Sequence, residues 1–168
     1  KHIMIEEKEV TLDDAMNIVK THMQQGNYRV AKMVLEDILR SQPDHENSHY
    51  MLSLALYFMG DLTNAITHIE KAVSADDAEA EWWCNYGIML NETGKLEDAL
   101  NAYDEGIKTN PDFANSYWNK SHTLWLAERY EEAEKAAREG IKCDPNIPEA
   151  WLNLGTALVK LGKKEEAI

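Results

Sequence analysis

The sequence predicts an all-α fold in which helical hairpins stack one on the next, and three observations predict it. Aligned on itself at an offset of 34 residues, the chain falls without a gap into blocks that start at Leu12, Glu46, Ala80, Ala114 and Pro148. Two runs of apolar and small residues at helical spacing lie inside each block, the mark of two amphipathic helices. Helix-breaking residues stand at fixed offsets, glycine at the fifteenth position of four blocks and proline at the thirty-second of three. A period of this length belongs to solenoids and arrays, in which each unit buries its apolar face only against a neighbour.

Residues 1–11 precede the first block and are expected to form an N-terminal extension, its start compatible with tag residues ahead of Met4. They lack the apolar core of a signal peptide. The blocks then run 12–45, 46–79, 80–113, 114–147 and an incomplete 148–168. In the first half of a block, positions 4, 7, 8 and 11 share a helix face, as in Trp151, Leu154, Gly155 and Leu158. The glycine at position 15 supplies the φ > 0 geometry that separates two helices. In the second half, positions 20, 24 and 27 share a face, as in Ala99, Tyr103 and Gly106. Position 20 is alanine throughout: Ala31, Ala65, Ala99, Ala133 and Ala167. Small residues at positions 8 and 20, such as Gly87 with Ala99, let the helices of a hairpin approach closely. Proline at position 32 (Pro43, Pro111, Pro145) ends the second helix, because it has no N–H to give and restricts its predecessor. Ala15 and His49 at position 4, Asp77 for proline and Glu128 for glycine depart from the pattern without breaking its phase.

The 168 residues, 44% hydrophobic and 28% charged, suffice for a substantial core. A net charge of −13 argues against a nucleic-acid partner, which demands a local surplus of Lys and Arg, and against docking on anionic lipid. No apolar run reaches the length of a membrane span. Cys84 and Cys143 stand in no metal or redox spacing, which points to reduced thiols and a cytoplasmic location.

Residues 45–49 read HENSH and satisfy H-E-x-x-H, which on a helix presents two imidazoles and a glutamate base to zinc. The repeat frame puts His45 at the end of a linker, after Pro43-Asp44, and His49 in the inward fourth slot. A zinc pair needs both rings on one turn, facing an open cleft with a third ligand. Glu70, the nearest third ligand, stands beside the packing stripe of Ile69 and Ala72. A structural histidine is expected, with no metal and no cofactor. Cys84 and His122, on the first helices of adjacent blocks, lack an orienting group and an oxyanion site at any recognisable spacing. Phosphate-cradling and nucleophile-elbow motifs are missing from the sequence, and Glu131-Glu132 and Glu165-Glu166 open second helices, where they complement the helix dipole. The sequence therefore predicts no enzyme.

WCNYGIML (83–90) with Ala99, Tyr103 and Pro111, and WLNLGTAL (151–158) with Ala167, resemble the tetratricopeptide repeat, and the resemblance covers residues 12–168. It implies a right-handed superhelical solenoid whose first helices line a concave groove, with positions 2, 5, 6, 9, 12 and 13 facing it. Position 6 is Asn in three consecutive blocks (Asn85, Asn119, Asn153), and positions 5 and 12 are aromatic in the second and fourth blocks (Tyr50, Trp118; Tyr57, Trp125), with Met16, Cys84 and Leu152 at position 5 and Met23, Asn91 and Val159 at position 12 of the others. An amide both donates and accepts, so a ladder of amides one block apart can hold an extended backbone, with aromatic pockets beside it. A similar ladder occurs in the repeat domain of O-GlcNAc transferases. The alternative is that an exposed helix face merely tolerates Asn. The candidate peptide-binding residues are Asn85, Asn119, Asn153, Tyr50, Tyr57, Trp118, His122 and Trp125, and alanine at the three asparagines is expected to weaken a ligand with little loss of thermal stability. The carboxylate clamp of chaperone adaptors is absent, since position 5 holds no Lys and position 9 no Asn.

The expected function is a scaffold that holds an extended protein or peptide segment, neutral to basic and partly apolar, in its groove. Two alternatives stand beside it. GKKEEAI stops inside the fifth block's second helix, where solenoids close with a polar cap, so the chain could serve as a substrate-presenting or assembly arm of a larger enzyme such as a glycosyltransferase. Homo-oligomers could form through that open end, or through residues 1–11, whose IMI stretch is apolar enough to enter a neighbour's groove.

Overall fold

The computed structural model describes residues 2–5 and 8–163. Along these residues run β1 (His2–Ile5), β2 (Lys8–Thr11), α1 (Leu12–Gln24), α2 (Tyr28–Ser41), α3 (Glu46–Phe58), α4 (Leu62–Val73), α5 (Ala80–Glu92), α6 (Leu96–Thr109), α7 (Ala114–Leu126), α8 (Tyr130–Cys143) and α9 (Pro148–Lys160). The first helices of the blocks begin at Leu12, Glu46, Ala80, Ala114 and Pro148, so the period of the sequence is the period of the fold. No helix among the described residues is long and apolar enough to cross a membrane. Ala167, Glu165 and Glu166 lie outside the described residues.

Local chemistry sets the element ends. Thr11 Oγ1 accepts from the Asp14 N–H to cap α1, Asp61 Oδ1 accepts from the Asn64 N–H to cap α4, and Pro148 opens α9 where its missing N–H costs nothing. α6 and α8 stop at Asn110 and Asp144, each the extended residue ahead of a proline. Gly26, Gly60, Gly94 and Gly162 take φ between 74° and 84°. Glu128 fills the same slot in the fourth block with φ 59°, a left-handed conformation held by a residue with a Cβ.

The chain divides into two units, residues 1–78 and 79–168. In the first, α1 packs on α2, α2 on α3 and α3 on α4, burying Val19, Leu35, Ile38, Leu52 and Ile69. Its beginning departs from the all-α expectation. β1 and β2 form an antiparallel hairpin with Ile3 opposite Val10, laid on α1 and α2. A lone two-stranded hairpin is marginal in water, and the burial of Ile3 against the helices supplies the missing stability. Within the IMI stretch Ile3 is thus packed inside its own unit and Met4 lies on the surface.

In the second unit α5 and α6, then α7 and α8, form antiparallel hairpins, and α9 packs on both α7 and α8. Ala99, Tyr103, Leu124, Ala133, Leu154 and Leu158 are buried there. The small residues at position 8 set the helix spacing. A Cβ on Gly87 would lie 2.4 Å from Cε1 of the buried Tyr103, so the ring occupies the space a side chain would take. Ser121, at the same position of α7, donates instead from Oγ to the carbonyl of Ala133, 2.8 Å away on α8.

Candidate binding surface

Position 4 turns out to be chosen for a donor as well as for bulk. His49 Nε2, Tyr117 OH and Trp151 Nε1 each reach the carbonyl of the proline that closes the preceding block: Pro43 at 2.8 Å, Pro111 at 2.8 Å and Pro145 at 2.7 Å. Three different side chains thus satisfy the same carbonyl, and His49 replaces an aromatic because its N–H does what indole and phenol do elsewhere. His45 is the N-cap of α3, its Nδ1 accepting from the Ser48 N–H at 3.3 Å. The second ring nitrogen of His49 meets His68 on α4. The two histidines of HENSH therefore have separate structural partners, and Glu70 is exposed.

Among the candidate residues, Asn85, Asn119, Asn153, Trp118, His122 and Trp125 belong to the unit of residues 79–168, and Tyr50 and Tyr57 to that of residues 1–78. Asn119 and Asn153 are each only 9% exposed. Asn119 Nδ2 donates to the Asn115 carbonyl at 2.8 Å and lies 3.4 Å from Cys84 Sγ on α5. Asn153 Nδ2 donates to the Trp118 carbonyl on α7 at 3.2 Å. Both amides reach back from one first helix to the one before it. Asn119 thus donates within its own helix and to the α5 thiol, Asn153 donates to α7, and both amides spend donor capacity inside the protein. The expectation that alanine at these positions leaves stability unchanged is corrected accordingly, since two replacements remove half-buried hydrogen bonds between neighbouring helices. Asn85 and Trp118 are half-buried and His122 is exposed, with Trp118 Nε1 donating to Asn115 Oδ1 at 3.3 Å. Tyr50 is buried, and Tyr57 is half-buried with its ring edge-on to Phe58 at 5.5 Å.

Trp125 and α9 border an open depression of about 400 Å³ lined by Trp151, Leu152, Gly155, Thr156, Val159 and Lys160. Its walls are largely apolar, and Trp151 and Gly155 stand at the positions that in the earlier blocks face the block's own second helix, a segment that here lies outside the described residues. Trp125 Nε1 is buried with no acceptor, and one block earlier, at the same position, Asn91 Oδ1 is buried with no donor. Leu152 and Val159 were legible as groove positions 5 and 12, whereas Trp151 and Gly155 read from the sequence as hairpin core.

Cys84 is buried, and that burial pushes its thiol up to about 12; the negative charge of Glu81 adds to the effect, against hydrogen bonds from Asn119 and Ser116 that pull it down. The sulfur stays protonated at neutral pH and is a poor nucleophile. His122 stands exposed on α7.

Tetratricopeptide repeat family models match residues 16–80, 50–112, 90–148 and 136–168. The chain is 26% identical over 110 residues to the DnaJ homolog subfamily C member 7 homolog of Schizosaccharomyces pombe, a match spanning 56% of this chain and 23% of that protein's length. Among solved structures, MamA residues 41–end from Desulfovibrio magneticus superposes with a TM-score of 0.82 at 19% identity, covering 92% of this chain and 88% of that one. pilF of Pseudomonas aeruginosa gives 0.83 at 21% identity, covering 92% and 71%. YrrB, described as a TPR protein with an unusual peptide-binding site, gives 0.76 at 16% identity, covering 92% and 79%. With family matches along nearly its whole length and hairpins that repeat in the same phase, this chain belongs to the tetratricopeptide repeat family.

Proposed function

We propose that this protein is a non-catalytic scaffold that binds an extended protein or peptide segment against the first helices of residues 79–163. The observation that carries the reading is the run of polar and aromatic side chains on successive first helices, Asn85 on α5, Trp118, His122 and Trp125 on α7 and Asn153 on α9, with the indole N–H of Trp125 left without an acceptor. A buried donor left unpaired costs about 1–3 kcal/mol, which a ligand carbonyl would recover where the side chains that cover the indole N–H part to admit it. Asn91 offers the complementary half, an acceptor without a donor one block earlier. A peptide backbone carries C=O and N–H groups for both, and its apolar side chains suit the indole rings of Trp118 and Trp125. The amide oxygens of Asn119 and Asn153, the half-buried Asn85, and Trp118 and His122 would extend the contact along α5, α7 and α9. On residues 1–78 the half-buried Tyr57 offers aromatic contact, whereas Tyr50 is buried. Family membership and the peptide-binding site for which YrrB is described support a peptide ligand. The net charge of −13 favours a neutral to basic one.

The test is to select peptides on the immobilised protein from a random display library and measure their affinity for the natural protein and for Trp125→Phe. Phenylalanine keeps much of the apolar wall and removes the donor. Loss of a hydrogen bond worth about 1 kcal/mol is expected to weaken binding about fivefold, with an unchanged far-UV spectrum. Equal affinity for both proteins would sink the assignment of Trp125. Failure to select any peptide would sink the function.

A further inference from the structure

His49 and His68 meet in the unit of residues 1–78, beside a cavity of about 520 Å³ between α2, α3 and α4. His49 Nδ1 lies 2.9 Å from His68 Nδ1, and His49 Nε2 lies 2.8 Å from the Pro43 carbonyl oxygen. The ring centroids are 5.2 Å apart and the ring planes are inclined by 24°. The centroid separation exceeds the nitrogen separation by about two ring radii, so the rings meet edge to edge with their Nδ1 atoms pointing at one another. That is the geometry of an N–H···N hydrogen bond and not of a face-to-face stack.

Elimination fixes where the hydrogens lie. A carbonyl only accepts, so His49 Nε2 carries hydrogen; neutral His49 then has a bare Nδ1, and the hydrogen of the bond between the rings belongs to His68 Nδ1. An added proton finds a free lone pair at His68 Nε2 and leaves both bonds intact. A second proton has only His49 Nδ1 to occupy, where it would face the N–H of His68 head-on. The pair tolerates no proton or one, and breaks at two.

We propose that the His49–His68 pair is an acid-operated latch, which ties α3 to α4 at neutral pH and releases them when both rings are charged. The charged groups around it come from two of the three helices packed there. Glu36, Lys32 and Arg40 stand on α2, and Lys71 stands on α4. Burial holds His68 below the ordinary histidine value of 6.5; His49, Lys71 and Lys32 act in the same direction, and Glu36 alone opposes them. The unfolded chain therefore takes the proton first as the pH drops below 6.5. This contribution to stability is complete above 6.5 and is lost through the window beneath it.

Nitrogen-resolved NMR of the imidazoles at neutral pH should find His49 protonated at Nε2 and His68 at Nδ1. Hydrogen exchange, corrected for intrinsic rate, should show protection in α3 and α4 falling roughly tenfold relative to α8 between about pH 7.5 and about pH 5. His68→Asn, whose amide can donate to neutral His49 and turn to accept from charged His49, should abolish most of that fall; His68→Gln serves if the first variant does not fold. The proposal is overturned if His49 carries its neutral-pH hydrogen on Nδ1, or if the non-titrating variant loses the same protection.

Discussion

Glu128 occupies a turn slot that glycine fills in the other four blocks, and it adopts φ 59° to do so. A left-handed conformation costs a residue with a Cβ about 1–2 kcal/mol, while glycine brings a larger unfolded-state entropy worth about 0.5–1 kcal/mol. The first effect is the larger, so Glu128→Gly should raise the unfolding free energy by about 0.5–1 kcal/mol in urea titration; an unchanged or lower midpoint would show the turn to be unstrained. The slot was legible in the sequence, because position 15 is counted from the repeat. The backbone angle at Glu128 was not, since a glutamate could have lengthened or reshaped the turn. The same contrast holds at position 4. His49, Tyr117 and Trp151 read as three fillers of different size, yet each donates to the carbonyl of the preceding proline. Their common role lies in a donor atom's position, which residue identity alone does not reveal.

Element by element, helix spacing is set where small residues meet large ones. Gly87 on α5 admits the ring of Tyr103 on α6, and a methyl group there would sit within 2.8 Å of three ring atoms. Gly87→Ala must therefore move a buried ring or part the hairpin, and is expected to destabilise residues 79–168 by about 1–3 kcal/mol in chemical denaturation. A cost below about 0.5 kcal/mol would mean that Tyr103 is held less firmly than its burial implies. The pairing of small position 8 with its partner helix was legible, because both positions recur at the same offsets. The β1–β2 hairpin was not. Strands of four residues give too short a run for period-two alternation to register, and its stability comes from Ile3 resting on α1 and α2.

At the scale of the whole molecule, charge works against compactness. Thirty acidic residues face seventeen basic ones, and the ion pairs among described residues are largely short-range contacts at the surface, such as Lys142 with Glu139 and Arg138 with Glu134. Pairs of that kind contribute about 0–1 kcal/mol each and are screened by salt, whereas a net charge of −13 repels itself throughout. The second effect dominates, so the thermal midpoint should rise when ionic strength is increased from about 0.01 M to about 0.15 M, over which the Debye length shrinks from about 30 Å to about 8 Å; a falling midpoint would mean that the surface pairs outweigh the repulsion. What the sequence determined by itself is the phase: where each helix starts, which face it buries and which residue turns the chain, all properties that repeat along the covalent backbone. Tertiary structure alone decided which polar atoms are used up and which are left over. Asn119 donates to its own helix and to the Cys84 thiol on α5, Asn153 donates to α7, Trp125 keeps an indole N–H without an acceptor, and His49 finds His68 across a hairpin. Each outcome depends on a few tenths of an ångström between packed helices, a distance set by the side chains that fill the gap and not by their spacing along the chain.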